Sequence, residues 1–207
     1  MKKSENLFWG IRKISETSDE LLDLLEHKDW YLPRIRQMMT ENRKREWLTV
    51  RVLLKALAGE EKEIAYTESG KPYLADRSYH ISISHTKEYV AVALSKHHFV
   101  GIDIEYISPR IQKIKDRFMS DEERTGISPE NEIVHSLLHW SAKESMFKAL
   151  NEPAVDFRTC LHIQPFVPEI TGWSSFNAFE TKTRKQHRFV IHYEATEDYV
   201  VTVTVKP

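Results

Sequence analysis

Val100-Gly101-Ile102-Asp103-Ile104-Glu105 is the stretch on which the fold turns. Its β-branched residues predict a strand, and side chains alternate across a strand, so Asp103 and Glu105 emerge together on the face opposite Val100, Ile102 and Ile104. The three apolar residues face a core. The two acids have two open readings. One is an exposed face carrying solvated carboxylates. The other is a rigidly held pair of hard oxygens suited to Mg²⁺, which takes one or two protein carboxylates and completes its shell with water and substrate phosphate.

Upstream, Tyr79–Ser84 and Tyr89–Ser95 read as two further strands, joined to each other by the polar stretch 85–88 and to the acidic strand, Phe99–Ile104, by 96–98. The three together predict an antiparallel meander. Gly70-Lys71-Pro72 marks a turn before them. Residues 7–14 predict a strand, Ser18-Asp19-Glu20 a helix cap, and a short helix runs on through Leu25. From Pro33 to Ala58 the apolar positions recur at three- and four-residue spacing, which predicts one long or broken amphipathic helix ending at Gly59. Downstream, Pro129 precedes a second long helix from about Glu130 to Leu150, and residues 159–164, 174–181, 188–194 and 199–205 read as strands. This order predicts an α+β fold of two similar, pseudo-symmetric halves, 1–105 and 106–207, each with a long helix on a small antiparallel sheet. No Pro/Ser/Gly-rich linker divides them, so tight packing is expected, with an active site in the cleft between them.

Composition narrows the function. The 207 residues carry 30 Lys plus Arg against 31 Asp plus Glu, so overall charge gives no reason to expect duplex binding, and no nucleic-acid partner is expected. Hydrophobic residues at 41% with only six Gly describe a folded globule, which excludes disordered and fibrous classes. Cys160, the single cysteine, cannot form an internal disulfide. The first residues show neither a signal-peptide nor a membrane-span pattern, so a reduced, cytoplasmic protein without a membrane partner is expected. Between Arg34 and Lys55 seven basic residues face two acids, a local net of +5 that is either a solvated helix face or an anion site.

The second informative segment is His139-Trp140-Ser141-Ala142-Lys143-Glu144-Ser145-Met146-Phe147-Lys148. Trp140, Glu144 and Lys148 share one helical stripe. They read either as a core anchor beside a surface ion pair, or as a third carboxylate with a lysine that holds phosphate. His85 ends a strand in a polar turn, where loop residues often bind ligands. His135 and His139, at i and i+4, have the spacing of a zinc pair, but no nearby Cys or His completes a set and no HExxH occurs. GxxxxGK, GxGxxG and GxSxG are absent too, which argues against P-loop kinase, dehydrogenase and esterase classes.

In their order, Gly70-Lys71-Pro72, Ser84-His85, Gly101-Ile102-Asp103-Ile104-Glu105 and Trp140-Ser141-Ala142-Lys143-Glu144 with Lys148 resemble the 4′-phosphopantetheinyl transferase superfamily, in its larger, two-half, surfactin-synthetase-activator-like type. That resemblance implies a monomer that moves 4′-phosphopantetheine from coenzyme A to a serine of an acyl or peptidyl carrier protein and releases adenosine 3′,5′-bisphosphate. It implies Mg²⁺ on Asp103, Glu105 and Glu144, with Glu144 also a candidate base and Lys148 a catalytic cation. It further implies coenzyme A contacts from Arg45, Arg51, Lys71, Ser84, His85, Lys143 and Lys148. The alternatives are a catalytically inactive module that binds coenzyme A, and a metal-dependent phosphohydrolase using the same acids.

Overall fold

In the computed structural model the described residues are 2–4, 6–170 and 172–207, with the side chains of 2–4 set aside. The chain divides into two compact units, Met1–His97 and His98–Pro207. Each is α+β, as expected.

The first unit runs β1 (Lys2–Ser4), β2 (Leu7–Lys13), α1 (Ser18–Asp23), α2 (Lys28–Arg36), α3 (Glu41–Ala58), β3 (Ile64–Tyr66), β4 (Pro72–Leu74), β5 (His80–Thr86) and β6 (Tyr89–Ser95). Thr17 and Glu20 close a capping box on α1. The long periodic stretch is broken because Thr40 leaves the helical region and its side chain accepts from Arg43 N–H, capping a new helix. Gly59, at φ 83°, ends α3 in the left-handed conformation that favours glycine. One side of α3 (Val50, Leu53, Leu54, Leu57) packs with Val90, Val92 and Leu94 of β6. The other (Leu48, Val52) covers Leu21, Leu25, Tyr31 and Ile35.

The second unit runs β7 (Val100–Tyr106), α4 (Lys115–Phe118), α5 (Asp121–Thr125), α6 (Glu132–Leu150), α7 (Phe157–Cys160), β8 (Leu161–Ile163), β9 (Trp173–Glu180), β10 (Arg188–Ala195) and β11 (Tyr199–Val205). Leu138, Ala142, Met146 and Leu150 of α6 pack with Phe176, Phe189, Ile191 and Tyr193 from the sheet.

Strand order corrects the expected meander. The first sheet is β1-β2-β6-β5 and the second β7-β11-β10-β9-β8, all neighbours antiparallel. Both edges of β6 are taken, by β2 and β5, so β7 cannot join it and pairs with β11 instead. The division therefore falls after His97, before the acidic strand. A shared plan remains: in each unit the strand before the long helix pairs with the last strand of that unit.

Candidate functional site

The site begins with a glycine. A Cβ placed on Gly101 would stand 1.8 Å from the backbone oxygen of Ser145, so only glycine lets α6 lie this close to β7. The contact is fastened by Ser141 Oγ, which donates to Asp103 O at 3.3 Å and lies 2.9 Å from Thr202 Oγ1. Thr202 is the residue paired with Asp103 in the sheet. Gly101, Asp103 and Glu105 share the strand face turned to the helix, and Asp103 is only 4% exposed. The reading of two solvated acids is thereby excluded, since helix and strand together shield them.

Trp140, Glu144 and Lys148 of α6 reach this strand. Trp140 Nε1 donates to Glu105 Oε1 at 2.7 Å. Its ring centroid lies 5.1 Å from that of Phe118 and 5.7 Å from that of Phe157. Lys148 Nζ donates to Asp103 Oδ1 at 2.8 Å and to Ile102 O at 3.0 Å. Burial, reinforced by the charges of Asp103 and Glu144, pushes Glu105 up to about 7 against the opposing Trp140 hydrogen bond and Lys148 charge. Burial first, and then Asp103, also raises Glu144, against the charge of Lys148. The three acids thus act on one another electrostatically, and Lys148 supplies the compensating charge. Trp140 as the donor that holds Glu105 was missed in the sequence, where a tryptophan on a helical stripe reads as a core anchor.

Among the described residues, no group of three or more His, Cys, Asp or Glu forms a ready-made cage for a metal ion. The donor chemistry nevertheless suits Mg²⁺, because one or two carboxylates suffice for an ion whose remaining ligands are water and phosphate. Burial lifts Glu105 and Glu144 first, and an added cation would relieve the further share that the charge of Asp103 contributes.

Of the other residues expected at the site, several are engaged otherwise. Lys143 turns away from the acids and is fully buried. Its ammonium donates to Phe118 O at 2.7 Å, Glu123 Oε2 at 2.7 Å and Phe157 O at 3.1 Å, a structural pair that leaves no donor for a ligand. The remaining five lie in the first unit. Arg45 bonds the carbonyls of Glu16 and Ile14, pinning the β2–α1 connection to α3. Arg51 is buried over the Trp47 ring, 3.5 Å from its centroid, and bonds Trp47 O at 3.0 Å. The basic character of α3 is therefore partly internal wiring, with Arg45 and Arg51 spent on packing. His85 lies inside β5 with half its side chain exposed, its Nδ1 3.4 Å from Glu46 Oε2, beside the buried Ser84. Lys71 follows the turn made by Gly70, whose φ is 82°, and its N–H bonds Thr67 Oγ1. His135 and His139 lie on α6 apart from the acids.

A sequence model of the 4′-phosphopantetheinyl transferase superfamily matches residues 99–204, the second unit almost entirely. The match covers half of the chain, and the chain belongs to that superfamily. It is 33% identical over 124 residues to the 4′-phosphopantetheinyl transferase gsp of Aneurinibacillus migulanus, covering 58% of this chain and 47% of gsp. It is 29% identical over 123 residues to the 4′-phosphopantetheinyl transferase AcpT of Escherichia coli K12, covering 56% of this chain and 63% of AcpT. The chain therefore spans between about half and under two thirds of these relatives. No helix among the described residues is long and apolar enough to cross a membrane.

Proposed function

We propose that this chain transfers 4′-phosphopantetheine from coenzyme A to a serine hydroxyl of an acyl or peptidyl carrier protein, in the presence of Mg²⁺, and releases adenosine 3′,5′-bisphosphate. The observation that carries the proposal is the convergence of Asp103 and Glu105 from β7 with Glu144 and Lys148 from α6, where burial first and then the charge of Asp103 raise both Glu105 and Glu144. Membership of the superfamily and the printed activities of gsp and AcpT support it.

Attack of a hydroxyl on a diphosphate develops negative charge on the phosphoryl oxygens, and stabilising that charge is the main catalytic task. Asp103 and Glu105, with Glu144, would hold Mg²⁺, which when bound supplies positive charge to the diphosphate. Lys148 contributes a cation that lies within hydrogen-bond reach of Asp103 and so next to the same charge. Glu144, lifted by burial and by Asp103, is placed to take the serine proton. Trp140 fixes Glu105 by one hydrogen bond. His85, Ser84 and Lys71 are the proposed coenzyme A contacts of the first unit. A cytoplasmic monomer completes the proposal.

The deciding experiment incubates the protein with several apo carrier proteins, coenzyme A and Mg²⁺ and records carrier mass. A phosphopantetheine increment on at least one carrier, lost in Asp103→Ala while circular dichroism is retained, is the expected result. No increment on any carrier, or full activity in Asp103→Ala, overturns the assignment.

A further inference from the structure

Lys143 is fully buried on α6, and nothing in the proposed chemistry uses it. Burying an ammonium with a carboxylate brings little stability over a hydrophobic pair of the same size, so the Lys143–Glu123 pair is explained better by what it places than by what it stabilises. What it places is specific. The ammonium donates to acceptors from three segments: Phe118 O at the end of α4, Glu123 Oε2 in α5 and Phe157 O at the start of α7. The two carbonyls belong to the phenylalanines whose rings meet Trp140, at centroid distances of 5.1 and 5.7 Å. Trp140 stands three residues before Lys143 on α6, and so on the same helical face.

α4 and α7 have four residues each, too few to hold themselves. On the surface they are tied by Arg124, which pairs with Asp116 and Asp121, and by Arg158 Nη2, which donates to Asp121 Oδ1 at 3.0 Å; exposed pairs of this kind contribute little. Lys143 is the buried tie. Glu123 extends it, because its Oε1 accepts the Ile163 N–H of β8 at 2.9 Å and its Oε2 also accepts the Ser120 N–H at 2.8 Å. Trp140 in turn donates its one side-chain N–H to Glu105 Oε1 at 2.7 Å, so whatever sets the indole sets the carboxylate it bonds. A line of contact thus runs from Lys143 through Phe118 and Phe157 to Trp140, and ends on Glu105.

We infer that Lys143 is a positioning residue for the acid site: by fixing the backbones of Phe118 and Phe157 it fixes Trp140, and through Trp140 the direction of the Glu105 carboxylate. Its three donors are spent on Phe118, Glu123 and Phe157, so it acts on Glu105 only at a distance. The inference deepens the proposed transferase reading and rests on it for the effect on metal affinity, while the link from Lys143 to Trp140 stands or falls by itself.

The test reads the indole N–H of Trp140 by ¹⁵N NMR and Mn²⁺ affinity by electron paramagnetic resonance, in the full chain. Of the five tryptophan signals, the one missing from Trp140→Phe is that of Trp140. Trp140→Phe keeps a ring beside Phe118 and Phe157 but loses the donor, and should weaken Mn²⁺ binding about tenfold or more, the usual cost of removing a partner of a metal ligand. Lys143→Met/Glu123→Gln, which leaves no buried charge, should move the Trp140 N–H upfield, speed its exchange with solvent and weaken Mn²⁺ by about tenfold. Made on top of Trp140→Phe, the same pair of replacements should weaken Mn²⁺ no further, because a residue that works through the indole N–H then has nothing to work on. A merely structural lysine would add its loss in either background. If the Lys143 variant does not fold, Phe157→Leu breaks the line at its next link: it keeps the carbonyl that Lys143 bonds, removes one ring beside Trp140, and should shift the N–H and weaken Mn²⁺ in the same sense. An unmoved Trp140 N–H, an unchanged Mn²⁺ affinity, or a loss repeated in full on top of Trp140→Phe each overturns the inference. Wild-type protein that binds no Mn²⁺ would instead overturn the metal set of the proposed function, and the indole signal would then decide the role of Lys143.

Discussion

Helices α3 and α6 play the same architectural part in the two units, 18 and 19 residues laid across an antiparallel sheet, yet the buried face of α3 is mostly apolar and that of α6 is half polar. α3 buries Leu48, Val50, Val52, Leu53, Leu54 and Leu57, and the one charged group it buries, Arg51, is absorbed by the Trp47 ring. α6 buries the polar His135, Ser136, His139, Ser141, Lys143 and Ser145 beside the apolar Leu137, Leu138, Ala142, Met146, Ala149 and Leu150. A helix held by apolar contact gives a scaffold, because such contact is non-directional and leaves no group to react. A helix that adds hydrogen bonds and ion pairs to its apolar contacts gives a site, because every polar group must be placed to be satisfied. The superfamily match falls on the unit that contains α6.

The contrast is open to attack, beginning where the largest loss is expected. Lys143→Met leaves Glu123 as a buried, uncompensated carboxylate, and should cost about 3–5 kcal/mol by chemical denaturation. The double variant Lys143→Met/Glu123→Gln should recover much of that, and failure to recover any would mean that Lys143 acts outside this pair. Gly101→Ala drives a methyl into the backbone of α6. Overpacking against an atom that cannot swing aside should cost about 3 kcal/mol, and a wild-type melting temperature would show that β7 and α6 are not in fixed contact.

Acid should find the same helix. His135 and His139 sit at about 4 in the folded chain against an ordinary value of 6.5, so below 6.5 the unfolded chain binds more protons and stability falls with pH. From pH 7.5 to 5 the loss should be about 2 kcal/mol for each histidine, following 1.36 kcal/mol per unit. Hydrogen exchange should show α6 amides losing protection ahead of those of α3, whose buried face carries no histidine; a uniform loss would erase the distinction. The smallest effect belongs to the first unit. Arg51→Met, which removes the cation over Trp47, should lower stability by about 1 kcal/mol and leave α6 protection unchanged. Loss of α6 protection in this variant would show that the two helices are not independently held.

Much of the acid site is legible in one dimension because two short periods determine it. Residues two apart on a strand and four apart on a helix share a face whatever the fold, so Asp103 with Glu105, and Trp140 with Glu144 and Lys148, are grouped by local geometry alone. The periods do not say which element lies against which face. The meander failed for that reason: β6 and β7 are neighbours in sequence, but β2 had taken the edge of β6 that β7 needed. Lys143 and Arg51 failed for another. A basic residue next to a functional motif looks like a ligand donor in one dimension, and only the buried Glu123 and the Trp47 ring show where each charge is spent.

From its amino acids alone, then, the chain determined its α+β class, its two long helices and the side chains each presents together, because hydrophobic period and capping act over a few residues. Tertiary structure decided that Gly101 sets the closeness of strand and helix, that Trp140 holds Glu105, and that Lys143 is spent on the buried Glu123. Those outcomes depend on atoms distant in sequence meeting at van der Waals or hydrogen-bond distance, and no local pattern encodes such a meeting.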